Sequence, residues 1–146
     1  MIDYVAKCTE ALGDVLACGV SAAYENGLST IPIRTPHIFW DNDVFGKDKF
    51  SCKTFVIYPN INENVNNYED TFTFFYPKYH IPNKERTILE LIKFIDLFGE
   101  ATLVEGIYMY SEHSDYKKLY ELAPKYNVTK DVLDYWIAEA EDWTVV

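Results

Sequence analysis

Asn83 is followed by apolar residues at 88, 91, 92, 95 and 98, and Gly99 closes the series. Steps of three and four put Ile88, Leu91, Ile92, Ile95 and Phe98 on one face of a helix from about Lys84 to Phe98. Pro82-Asn83 supplies the start and Gly99 the stop. A helix with an apolar stripe is stable only when the stripe is covered, so the remaining chain must furnish a partner layer.

That layer reads as a sheet. Phe50, Cys52, Thr54, Val56 and Tyr58 alternate with Ser51, Lys53, Phe55 and Ile57, which is the period of a strand. Thr71 to Tyr79 is aromatic and β-rich, and Pro59 to Asp70, full of asparagine, is a polar loop between the two, so a long hairpin is expected. Ala101 to Tyr110 reads as a further strand, which would make 71–110 a strand-helix-strand crossover. Pro32 and Pro36 deny Ile33 to Trp40 a central place and leave it an edge strand or extended arm. Asp41-Asn42-Asp43 and Gly46-Lys47-Asp48 read as turns.

At the N-terminus, Ile2, Val5, Ala6, Cys8, Leu12, Val15, Leu16, Gly19, Val20 and Ala23 mark an amphipathic helix that runs to about Tyr24 and stops at Asn26-Gly27. Its small residues, among them Ala17, Cys18 and Gly19, permit close approach of a sheet or of a second copy, which leaves a homo-oligomer open. At the C-terminus, residues 117 to 138 have the pattern of a helix-turn-helix. A first helix ends near Tyr126, Asn127-Val128 turns, Thr129 caps, and Val132, Leu133, Trp136 and Ile137 form an apolar stripe. The expected whole is a single α+β domain over residues 1–146 with an aromatic-rich, mainly antiparallel sheet, an N-terminal helix, one packed central helix and a C-terminal helical pair. A chain of 146 residues can bury one such core.

Charge directs the functional reading. There are 23 acidic and 13 basic residues, a net −10. That field opposes phosphate backbones and favours basic surfaces, including the nucleic-acid channels of other proteins. A DNA-reading corner needs Arg, Lys, Asn or Gln at the start of its second helix. Here only Thr129 and Lys130 could serve, against Asp131, Asp134, Glu139, Glu141 and Asp142. Tyr116, Tyr120, Tyr126, Tyr135, Trp136 and Trp143 are interspersed with these acids, a mixture that suits a basic, stacking-competent groove.

The expected protein-binding residues are therefore Asp131, Asp134, Tyr135, Glu139, Glu141, Asp142 and Trp143. The expected function is that of a small acidic inhibitor or adaptor acting by surface complementarity, as a nucleic-acid mimic does. Size, acidity and the absence of motifs add the expectation of a phage or mobile-element protein acting against a nucleic-acid-directed defence enzyme. The partner would be a protein with a basic surface, such as a nucleic-acid-binding enzyme. One alternative is a DNA-binding regulator using Thr129 and Lys130. Another is a small-ligand-binding or sequestering protein, or an enzyme without familiar motifs, with a pocket around Glu105, Tyr108 and the histidines.

Signatures of chemistry are sparse. His37, His80 and His113 lack any His-x-x-x-His spacing, and Asp41, Asp43 and Asp48 lack the spacing and closing Glu of a calcium loop. Cys52 could pair with a histidine as a nucleophile, but its alternation with Phe50 and Thr54 is that of a core residue. There is no Gly-rich phosphate loop and no nucleophile elbow. No catalytic residue, metal or cofactor is expected. Glu105, within Thr-Leu-Val-Glu-Gly-Ile-Tyr, is the one carboxylate whose apolar setting would raise its pKa if it faced inward. Cys8, Cys18 and Cys52 are an odd set without Cys-x-x-Cys spacing, no basic region precedes an apolar run at the start, and Val15 to Tyr24 is too short to span a bilayer. Reduced thiols and a cytoplasmic setting, away from membranes, follow as expectations.

Overall fold

The side chain of Asn83 accepts a hydrogen bond from the Arg86 amide at 2.9 Å and starts the central helix where the sequence places it. The computed structural model describes residues 16–31, 37–39, 50–51, 56–58, 69–75 and 78–143. Among these the strands are β1 (Leu16–Ala17), β2 (His37–Phe39), β3 (Phe50–Ser51), β4 (Val56–Tyr58), β5 (Thr71–Phe75) and β6 (Lys78–Pro82). The helices are α1 (Gly19–Glu25), α2 (Lys84–Lys93), α3 (Ile95–Phe98), α4 (Glu100–Ser111), α5 (Lys117–Leu122) and α6 (Lys130–Trp143), with a 3-10 turn at Ala123–Tyr126. The fold is a mixed α+β domain, as expected.

The sheet order is β3-β4-β2-β1-β6-β5. The pairs β1·β2, β3·β4 and β5·β6 are antiparallel, whereas β1·β6 and β2·β4 are parallel. Several sequence expectations are corrected here. Phe50 to Tyr58 is not one strand, because Phe50 pairs with Ile57 and Ser51 with Val56, so the segment folds back on itself. β5 pairs with β6, from Thr71 with Pro82 to Phe75 with Lys78, and not with 56–58. β2 is no edge, since β1 and β4 flank it. Pro32 and Pro36 both precede its three residues and so remove no donor from the ladder.

The long N-terminal helix is interrupted within the described residues. Leu16 and Ala17, 2% and 0% exposed, form a central strand, and the helix begins only at Gly19, past Cys18. A short apolar run buried on both sides satisfies either period, which is why the sequence misleads. Gly19 has φ +54°, and a Cβ there would lie 2.7 Å from the ring of Phe98. Close approach does occur in this small-residue segment, and α3 is what approaches.

Ala101 to Tyr110 is helical, not a strand, so residues 71–110 do not form the expected strand-helix-strand unit. Leu103, Val104, Gly106, Ile107 and Tyr110 are its buried positions, a helical spacing masked in the sequence by apolar and aromatic residues on the other faces. The central helix also breaks at Phe94 (φ −109°, ψ 37°) before continuing as α3 to Gly99, whose φ of +87° separates α3 from α4. The apolar face of α2 is covered chiefly by helices. Ile88, Leu89, Leu91 and Ile92 cluster with Leu103 and Ile107 of α4, Leu119 of α5, Tyr126, and Leu133 and Ile137 of α6. Leu16, Cys18 and Phe94 form a second, smaller cluster.

The turns at 41–48, the loop over 59–68, residues 1–15, Cys8 and Cys52 lie outside the described residues. No helix among the described residues is long and apolar enough to cross a membrane.

Candidate protein-binding face

The turn before α6 is built from backbone chemistry legible in the sequence. Asn127 takes the left-handed conformation (φ 59°), Val128 donates to the Ala123 carbonyl at 3.1 Å, and the Thr129 hydroxyl accepts from the Val132 amide at 3.3 Å. Lys130 donates to Asp134 at 3.0 Å, one turn along the helix, and the carboxylate holds its ammonium above the ordinary range. Thus Thr129 is occupied in capping and Lys130 in an ion pair, the two residues a DNA reader would need.

Helix α6 buries Leu133, Ile137 and Ala140. Val132, expected in the apolar stripe, is instead 41% exposed, and it shares the outer side with Tyr135 at 56% and Trp143 at 43%. Val132, Tyr135, Glu139 and Trp143 follow one another at steps of three and four, so they form a continuous strip, and Asp131 and Asp142 adjoin it by the same periodicity. Tyr135 meets Trp136 edge-on, with centroids 5.0 Å apart, which steadies an exposed ring.

Two of the expected acids belong elsewhere. Asp134 lies on the flank toward α5, where the Tyr120 hydroxyl and Lys130 both donate to it and hold its carboxyl below the usual range. Burial and Asp134 together push Tyr120 up to about 12. Glu141 lines a cleft of about 230 Å³ with Tyr108, Ser111, Tyr116 and Ala140. The outward face therefore comprises Asp131, Tyr135, Glu139, Asp142 and Trp143, with Val132 added by the structure.

Glu105 stands on α4 rather than on a strand, and its carboxylate accepts from the Thr30 amide at 2.8 Å and the Thr30 hydroxyl at 3.4 Å, fastening the segment after α1. Tyr108 donates to Glu112, and its ring tilts against Trp143 at 5.6 Å. His80 is buried on β6 with Nδ1 3.0 Å from the Thr73 hydroxyl, His37 is on β2, and His113 is exposed beyond α4. Among the described residues no group of three or more His, Cys, Asp or Glu is arranged to hold a metal.

No sequence pattern announces a groove of about 650 Å³ whose lining includes Asp70, Glu85, Tyr110, Asp115 and Lys118. Its residues come from separate segments, so no local pattern marks it. Its polar groups are largely engaged with one another: Lys118 pairs with Glu85 at 3.6 Å, and the Tyr110 hydroxyl donates to the same carboxylate. No family model and no curated protein matches the chain.

Proposed function

We propose that the protein is an acidic protein-binding module, an inhibitor or adaptor, that lays the outward face of α6 on a basic surface of a partner protein. The observation that carries this reading is the strip of Val132, Tyr135 and Trp143 set among Asp131, Glu139 and Asp142. Exposed aromatic side chains supply contact area at small cost in conformational entropy, and the carboxylates around them select a cationic counterpart. At about 1.5 Å per residue, positions 131 to 143 extend about 18 Å, enough to occupy a groove.

The net charge of −10 supports the same choice, since it speeds encounter with basic proteins and disfavours nucleic acid. A nucleic-acid-binding enzyme is the partner class that best fits, because its groove combines cations with stacking surfaces. Occlusion of that groove would be the inhibitory act. A free, buried thiol at Cys18 agrees with a reducing, cytoplasmic setting.

The test is capture of partners from lysate of the source cells by the tagged protein, followed by challenge with duplex DNA and RNA. Retention of a protein after nuclease treatment, and its release by added nucleic acid, are the expected results. Direct retention of nucleic acid with no protein would overturn the reading.

A further inference from the structure

Among the described residues the six-stranded sheet ends at β3 on one side and at β5 on the other. An edge strand presents backbone donors and acceptors that can pair with another chain, and folded proteins blunt such edges with very short strands, charged side chains or proline. β3 is blunted by its length of two residues. β5 has five, Thr71-Phe72-Thr73-Phe74-Phe75, without a charge or a proline.

The ladder with β6 determines which backbone groups of β5 point outward. The Asn83 amide donates to the Asp70 carbonyl at 2.7 Å, so these two stand as a hydrogen-bonded pair, and the antiparallel register alternates from there. Phe72 and Phe74 therefore bond inward, opposite Ile81 and Tyr79. Pro82, which has no amide hydrogen, falls at an unbonded position, and its carbonyl turns away from β5 to accept from Asn26 at 2.8 Å. Thr73 and Phe75 direct their N–H and C=O groups to the outer side, where no hydrogen bond among the described residues uses them. Thr71 alternates with them but is already engaged with another group, so Thr73 and Phe75 carry the edge. Between them and Asp70, Phe72 is 56% exposed, level with Tyr135 as the most exposed large apolar side chain described.

We infer that β5 is the seam of a homodimer, in which β5 of a second copy of this chain adds antiparallel to its outer edge. Charge selects that occupant. At −10 the chain repels its own copy, yet β5 is neutral, and the two acids just before it, Glu69 and Asp70, are both paired with Lys125. A neutral strand gives a basic partner no selective attraction, whereas against its own copy it opposes no like charges. About a two-fold axis each copy supplies the donors and acceptors that the other requires, and the added strand covers Phe72. The seam is independent of the α6 face.

The test is sedimentation equilibrium of the full chain over about 1 μM to 1 mM, the range expected of so short a seam, with amide exchange followed by NMR. The parent should pass from monomer to dimer, and the Thr73 and Phe75 amides should gain protection as it does, while those of Phe72 and Phe74, bonded within the chain, are protected in both states. Thr73→Pro removes an outward donor and no bond of the β5·β6 ladder. It should weaken the dimer about ten- to a hundredfold, since the two-fold axis counts the loss twice. Phe72→Lys, a change at an exposed position, brings two cations to the seam and should weaken the dimer with the circular dichroism unchanged. A monomer throughout the range, a dimer that folded Phe72→Lys and Thr73→Pro both retain, or one in which Thr73 and Phe75 stay unprotected would overturn the inference. Should Thr73→Pro fail to fold, Phe72→Lys and the exchange pattern decide between the same two outcomes.

Discussion

The hydroxyl of Tyr126 donates to the carboxylate of Asp70 at 2.8 Å, joining the 3-10 turn before α6 to the turn before β5 across 56 residues. Lys125 donates to the same oxygen at 2.6 Å and also pairs with Glu69. Arg86, fully buried and 3.3 Å from Glu90, donates to the Glu69 carbonyl at 2.7 Å and sits over the Tyr126 ring. Asp70 itself adopts φ 56°, a conformation its short polar side chain tolerates. Through this clamp the sheet fixes the base of the helical corner that presents α6.

Removing one donor from that clamp should be measurable. Tyr126→Phe is expected to cost about 1.5–3 kcal/mol in urea unfolding, the usual range for a hydrogen bond to a charged acceptor. Burial pushes the Asp70 carboxyl up, but hydrogen bonds from Lys125 and Tyr126 outweigh it and hold the group below its ordinary 3.8. The contribution is therefore complete above the ordinary value and is lost as pH falls through the lowered one. Between about pH 6 and about pH 3 the parent protein should lose more stability than Asp70→Asn. Equal losses would contradict the clamp.

The register of α6 is tested by two neighbouring positions. Leu133 is fully buried, and Leu133→Ala should cost about 2–5 kcal/mol. Val132→Ala, on the exposed strip, should stay within about 0.5 kcal/mol. Comparable costs would mean that the helix is rotated from the arrangement described.

Local chemistry explains which elements the sequence disclosed. The Asn83 cap, the stripe of α2 and the Asn127-Thr129 turn depend on residues within a few positions of one another, so their patterns were legible. Leu16-Ala17 and Ala101 to Tyr110 were not. Both are apolar on more than one side, and only tertiary burial decides between periods of two and 3.6. The register error at Val132 has the same origin, for Val132 and Leu133 are adjacent and either could have led the stripe. The acids of the outer face were legible as a group, but the engagement of Asp134 by Tyr120, 14 residues away, was not. Clamps such as Asp70 with Tyr126 arise from topology alone.

Gly19 should be the least replaceable of the flexible glycines. Gly27→Ala, at φ +71° with open space around it, is expected to cost about 1–2 kcal/mol from backbone strain. Gly19→Ala adds a steric conflict at 2.7 Å with Phe98 and should cost about 1–3 kcal/mol more. Chemical denaturation of the two variants checks this, and equal costs would place Phe98 away from α1.

Charge reversals on α6 should separate packing from surface. Asp134→Lys breaks the contacts with Tyr120 and Lys130 and is expected to lower the thermal midpoint. Glu139→Lys and Asp142→Lys touch none of these contacts and should leave it unchanged, whereas Asp131→Lys, in the first turn of α6 and beside Lys130, should lower it slightly. Thermal unfolding followed by circular dichroism distinguishes the two classes.

The most direct test of the protein-binding account is quantitative capture from nuclease-treated lysate, comparing the parent chain with the triple reversal of Asp131, Glu139 and Asp142. The account predicts a stoichiometric protein partner for the parent, seen by native mass, and its loss from the triple variant at a temperature where circular dichroism shows that variant folded. Undiminished capture by that variant would contradict the assignment of α6 as the binding face.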